Sequence, residues 1–235
     1  KFDVVLMNPP YGGNEKADVK SHFPSDMRSS ETADLFMVLI MYRLKKNGRA
    51  AVIVPDGFLF GADNTKIAIK TKLLRDFNLH TIIRLPGSIF APYTSIATNI
   101  LFFDNTSAEG APEGYSTKET WFYRLDMPEG YKHFSKTKSM KLEHCNPIRE
   151  WWNDRKEIII ADGDEKSRCY PVQELIDSDC NFDLCKFPKE DEEILPPAEL
   201  LADYFKKRKA LDHEIDKTLA EIQRILGINV NVDEL

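Results

Sequence analysis

Asn8-Pro9-Pro10-Tyr11 is the densest chemistry in this sequence, standing directly behind the apolar run Phe2-Asp3-Val4-Val5-Leu6-Met7. Two acceptors, a fixed backbone and a flat ring in four consecutive positions suit methylation of an exocyclic amine on an aromatic base. Such an amine is a poor nucleophile because its lone pair is delocalised into the ring. Acceptors on its hydrogens favour a tetrahedral nitrogen and localise that pair for attack. Asn8 offers a side-chain carbonyl and Pro9 a backbone carbonyl. The prolines hold φ at about −65° and bring no N–H donor, which keeps the two acceptors convergent. Tyr11 supplies a face on which a flipped base can stack, and Gly12-Gly13 lets backbone come close to a ligand. The bland alternative is a Pro-Pro turn with Tyr11 as packing. The place of the tetrapeptide, after a buried strand and before a helix, favours the chemical reading.

Positioning falls to the elements around the tetrapeptide. Phe2–Met7 reads as a buried strand of a parallel sheet. Ser29, Ser30 and Thr32 offer caps for a helix running through Leu35, Phe36, Leu39, Ile40 and Leu44, stopped by Asn47-Gly48. Arg49–Val54 is a second buried strand, ended by Pro55. Asp63, Asn64 and Thr65 cap a helix to Phe77, with Ile67, Leu73, Leu74 and Phe77 inward and Lys66, Lys70, Lys72 and Arg75 outward. Strands follow at His80–Leu85 and Ala97–Phe103, joined by the loop Pro86–Ile96. Strands alternating with helices mean an α/β fold with a parallel sheet. The last two strands have no helix between them, so an antiparallel hairpin at one edge is expected. Residues 105–118 read as a loop and Trp121–Leu125 as one more strand. Glu190–Glu193 is an acidic linker, and a helix opened by Pro196-Pro197 runs to Leu226 with Gly227 as its stop. The resulting division is 1–106, 107–195 and 196–235.

The 235 residues carry a net charge of −6, with 42% hydrophobic and 30% charged residues. That is globular composition, with no general attraction to nucleic acid, so a local patch or a partner must hold any phosphates. The longest apolar run, Leu35–Tyr42, is closed by Asp34 and Arg43 and spans no bilayer. Cys145, Cys169, Cys180 and Cys185 form no Cys-x-x-Cys pair, which suits a reducing compartment. Lys1 in place of an initiator methionine, ahead of an apolar strand, reads as the C-terminal part of a longer protein.

At this point the chain resembles the N6-adenine DNA methyltransferases, and within them the modification (M) subunit of type I restriction-modification systems. The resemblance lies in the tetrapeptide with its strand, in Leu44–Asp56, in His80–Phe90 with Thr98–Phe103, and in Trp121–Leu125, Ile148–Trp152 and Asn181–Leu184. It implies the C-terminal half of a Rossmann-like, S-adenosylmethionine-dependent methyltransferase sheet, followed by a mixed region and a long C-terminal helix. It implies methyl transfer from S-adenosylmethionine to adenine N6 in DNA. Asn8, Pro9, Pro10 and Tyr11 are then catalytic, with Asn8 at the edge of a cofactor site that lies mainly upstream of Lys1. No metal is required. The implied partners are DNA, a specificity subunit, a second modification subunit and a restriction subunit, in the cytoplasm and without a membrane. RNA-adenine or protein-glutamine methylation uses the same tetrapeptide, and a non-catalytic docking module is the third reading.

Other residues admit functional readings beside blander ones. Asp56 could face the base pocket or simply end a strand. Phe90, Tyr93, Trp121 and Phe134 are candidates for a second base-stacking face, although core or loop packing is the first reading of each. Lys132, Lys136, Lys138 and Lys141, interleaved with aromatics, could track a DNA backbone or form a solvated loop. His144-Cys145 with the remaining cysteines fits no zinc spacing. Lys206–Lys209 reads as a solvent face. The stripe Leu201, Tyr204, Phe205, Leu211, Ile215, Leu219, Ile222 and Leu226 needs a partner surface or a fold-back.

Overall fold

A computed structural model describes residues 1–160, 163–185 and 197–227. They divide into two units, Lys1–Lys189 and Glu190–Leu235. The first is built on a seven-stranded sheet in the order β1-β2-β4-β3-β5-β7-β6, where β1 is Phe2–Met7, β2 Leu44–Pro55, β3 Asn78–Arg84, β4 Thr98–Asp104, β5 Glu119–Arg124, β6 Ile158–Ile160 and β7 Asp164–Pro171. β1 is parallel to β2 and β3 to β5, while the β2–β4, β3–β4, β5–β7 and β6–β7 pairs are antiparallel. The sheet is therefore mixed rather than parallel.

Two helices cover one face: α2 (Thr32–Arg43), which follows the short α1 (Ala17–Ser21), and α4 (Asn64–Asp76), which follows the short α3 (Asp56–Phe60). Strand alternation decides what they bury. Val5 of β1 and Ala50, Val52 and Val54 of β2 join Met37, Leu73 and their neighbours in one core. Phe2, Val4 and Leu6, on the other side of β1, are 55%, 50% and 79% exposed. Farther along that second face, α5 (Asn146–Asn153) seats Trp151 at 4.6 Å from the Tyr123 ring and Trp152 at 4.8 Å from that of Phe102. A short α6 (Val172–Asp177) follows β7.

Four details differ from the sequence reading. The β3–β4 hairpin is antiparallel as expected, but it lies inside the sheet and not at its edge. The β2–α4–β3 crossover leaves an empty slot, and β4 fills it by pairing on both sides, with Val52 and Ile82 both opposite Leu101. Second, α2 ends at Arg43 and Leu44 already belongs to β2. Asn47-Gly48 is a left-handed bulge in that strand (Asn47 φ +63°), whose Asn47 N and Gly48 O pair with Asn105, not a helix stop. Third, no side chain caps α2: Ser29 instead donates to Asp34, whereas Asp63 caps α4 as anticipated. Fourth, Lys66 and Lys70 are 4% and 0% exposed rather than outward. Lys70 Nζ donates to the carbonyls of Leu59 and Gly61 at 3.0 and 2.8 Å, closing the C-terminal end of α3.

The segment expected as an extension contributes β5, β6 and β7 to the same sheet. The expected linker Glu190–Glu193 lies outside the described residues. In the second unit, α7 runs Pro197–Leu226 and ends at Gly227 with φ +65°. Along it Leu201, Tyr204, Phe205, Leu211, Ile215, Leu219 and Ile222 are all about half exposed or more. None of the described helices is long and apolar enough to cross a membrane.

Candidate active site

β1 and β2 run parallel with Met7 beside Val52, so the tetrapeptide leaves the sheet at the same edge as Pro55, which ends β2, and Asp56, which follows it. Thr98 at the start of β4 pairs with Pro55, and Arg84 at the end of β3 pairs with Asn99, which brings the long β3–β4 loop to that edge too. The carboxyl ends of strands are where open α/β sheets bind ligands.

At this edge Pro9 is buried, Tyr11 half-buried, and Asn8 and Pro10 exposed. The Tyr11 hydroxyl donates to Asn8 Oδ1. Burial pushes the Tyr11 hydroxyl above the usual phenol range, so it keeps its proton and remains a donor. A carbonyl oxygen has two lone pairs, so Asn8 retains one for an incoming amine. The Tyr11 ring meets Phe90, from the β3–β4 loop, with centroids 6.0 Å apart and planes at 60°. Gly12 takes φ +71°, which a side chain would strain, and a Cβ on Gly13 would lie 2.5 Å from Thr32 Oγ1.

Of the four aromatic candidates, Phe90 alone has a ring contact with Tyr11 among the described residues. Tyr93, in the same loop, is 91% exposed. Trp121 packs edge-on to Trp151, and buried Phe134 stacks on His144 and meets Tyr131 at a tilt. Phe134 N donates to Ser88 Oγ at 2.8 Å, which ties the basic segment to the loop that carries Phe90. In that segment Lys132, Lys136, Lys138 and Lys141 are exposed, with Lys138 Nζ 4.0 Å from the Tyr131 ring centroid.

Asp56 belongs to a polar network. It accepts from Asn99 Nδ2 and lies 3.6 Å from Arg84, which also pairs with Asp183. Sequence reading missed Arg84, which is 2% exposed; the signal was a lone guanidinium ending the otherwise apolar run Ile82-Ile83. The four cysteines are free, and burial pushes the Cys169 and Cys185 thiols up to about 12. No group of three or more His, Cys, Asp or Glu among the described residues is arranged to hold a metal ion.

Asn8 follows the outermost strand, and among the described residues nothing pairs with the far side of β1.

Residues 1–194 match the family model described as N-6 DNA Methylase. The chain is 41% identical over 230 residues to the type I restriction enzyme EcoEI methylase subunit of Escherichia coli, a match covering 97% of this chain and 44% of that protein. Thus it spans less than half the length of that relative. A structure solved in work on complex assembly and conformational transition of the type I R-M system superposes with a TM-score of 0.66 at 33% identity, over 95% of this chain and 45% of that one. The crystal structure of the type I restriction enzyme EcoKI M protein shares the fold, with a TM-score of 0.61 at 23% identity over 94% and 50% of the two chains.

Proposed function

This chain belongs to the N-6 DNA Methylase family, and from that premise we propose that it carries the amine-activating part of an adenine-N6 DNA methyltransferase, the modification subunit of a type I restriction-modification system. The observation that carries this reading is the Asn8–Tyr11 loop at the carboxyl edge, with its tyrosine ring against Phe90. An adenine drawn out of the duplex enters beside Tyr11, with Phe90 as the second wall of its pocket. Asn8 Oδ1 and the Pro9 carbonyl accept the two N6 hydrogens and turn the nitrogen lone pair out of conjugation. The Tyr11 hydroxyl holds the Asn8 amide while this happens. S-adenosylmethionine would supply the methyl group as its S–CH3 bond breaks, leaving S-adenosylhomocysteine; the two carbonyl dipoles stabilise the positive charge that develops on N6 until one of its protons is lost to solvent.

The exposed lysines 132, 136, 138 and 141 suit phosphate contacts next to the pocket. The apolar stripe of α7 suits docking on a helical partner, which we assign to the specificity subunit, with a second modification subunit and the restriction subunit completing a cytoplasmic complex. The test is mass spectrometry of nucleosides from DNA incubated with the complete enzyme and S-adenosylmethionine. N6-methyladenine in DNA supports the reading. Methylation of RNA or of a glutamine side chain instead replaces it, and no methylation at all leaves only a docking module.

A further inference from the structure

The catalytic loop does not end free. After Gly12 the chain doubles back and docks on the start of α2 as a short strap, residues 12–15. Thr32 N donates to Gly13 O at 3.0 Å and Glu15 N to Ser30 O at 3.2 Å. Asn14 bridges Glu31, and Thr32 Oγ1 donates to Glu15 Oε1 at 3.2 Å. The fit is close, since a single Cβ on Gly13 would drive into Thr32 Oγ1.

Beneath this contact lies a charged centre the proposed chemistry does not use. Lys66, on α4, reaches Glu31 Oε1 at 2.6 Å, Asp34 Oδ2 at 2.9 Å and Asp63 Oδ2 at 3.7 Å. Ser29 Oγ donates to Asp34 Oδ2 at 2.6 Å and accepts from Glu31 N at 3.1 Å. Asp34 is fully buried and Lys66 nearly so. Burying an ion pair carries a desolvation cost that an apolar pair would avoid, so such a centre is a weak way to gain stability. What it does provide is direction, because its hydrogen bonds fix residues 29–34 on α4 in one geometry. Those residues are the platform on which the strap rests.

We propose that Lys66 is a positioning residue for methyl transfer, acting through Glu31 and Asp34 on the strap that anchors the Asn8–Tyr11 loop. This rests on the reading of that loop given above. The effect is geometric: a shift of about 1 Å in acceptors that must meet both amine hydrogens is enough to cost one or two orders of magnitude in rate.

The experiment uses the complete enzyme and three variants, Lys66→Met, Lys66→Arg and Glu31→Gln. Two readouts are taken, hydrogen exchange of peptides covering residues 12–16 and 29–32, and steady-state methylation. In Lys66→Met the strap amides should exchange about ten-fold faster while the β2–β4 peptides keep their protection. Its kcat should fall about ten-fold or more with KM for S-adenosylmethionine unchanged, and Lys66→Arg should restore most of it. Glu31→Gln alters a half-exposed side chain, keeps an acceptor for Lys66, and should show the same pattern at about three-fold. Should Lys66→Met not fold, Glu31→Gln alone decides. A strap that stays protected in the variants overturns the proposal, as does a loosened strap with kcat intact. A wild-type enzyme that methylates no DNA refutes the reading of the loop, and the positioning role falls with it.

Discussion

Truncating Asn8 to alanine removes one of two acceptors from the amine and leaves the Pro9 carbonyl, the prolines and both aromatic rings in place. A preorganised contact of this kind contributes ~3–4 kcal/mol to a barrier, so kcat should fall about 10²–10³-fold. Asn8 is exposed, which keeps the folding cost small and separates rate from stability. The structure adds a second-order effect, because Asn8 Oδ1 also accepts from the Tyr11 hydroxyl. Tyr11→Phe keeps the stacking ring and loses only that bond, a net ~0.5–1.5 kcal/mol, or a drop of about two- to ten-fold. Tyr11→Ala should cost more and weaken DNA capture as well. The assay is transfer of labelled methyl groups into DNA by the complete enzyme, with binding of donor and DNA measured in parallel. In a double-mutant cycle Asn8→Ala and Tyr11→Phe should be less than additive, by about the energy of the lost bond. An Asn8→Ala enzyme within five-fold of wild type would refute the acceptor role. A Tyr11→Phe enzyme as inactive as Tyr11→Ala would refute the stacking role.

Phe90→Ala should lower base capture by about ten-fold, read as 2-aminopurine fluorescence at the target adenine, whereas Tyr93→Ala, at a ring outside the Tyr11 contact, should leave it unchanged. Residues 1–235 by themselves should show no micromolar binding of S-adenosylmethionine in calorimetry, if Asn8 is only the edge of the donor site, as the resemblance implies. Deleting residues 197–235 should leave circular dichroism of the remaining sheet domain intact while abolishing co-purification with the specificity subunit; a retained complex would remove the docking role from α7. Burial lowers the Lys70 ammonium to about 8, below its value in the unfolded chain, so the folded state gains stability as pH rises from there toward ~10.4. Relative to Lys70→Met, the wild type should therefore gain about 2 kcal/mol between pH 7 and pH 9.5 in urea melts, and a flat difference would contradict the burial argument.

The candidate tetrapeptide and the strand before it were legible from local chemistry, although the cap and end of α2 were not. Asn8-Pro9-Pro10-Tyr11 behind a largely apolar run is a short-range pattern, and the prolines restrict its backbone locally. The Asp63 cap, the helix behind it (read to Phe77, ending at Asp76) and the length of α7 followed equally from neighbours in sequence. Pairings between distant segments did not. Whether β4 closes the sheet or sits inside it depends on the strand slot that the β2–α4–β3 crossover leaves open, a pairing between segments distant in sequence. Phe90 and Tyr93 look alike in the sequence, yet one of them meets Tyr11, because the strand register decides where the β3–β4 loop descends. Lys66 and Lys70 carry the clearest case. Helical periodicity placed them with Lys72 on a solvated face, while the docking of α4 against α2 and α3 turned both inward, to Asp34 and to the α3 carbonyls. A charge is read as exposed until a partner from elsewhere in the chain offsets its desolvation, and only tertiary structure brings that partner.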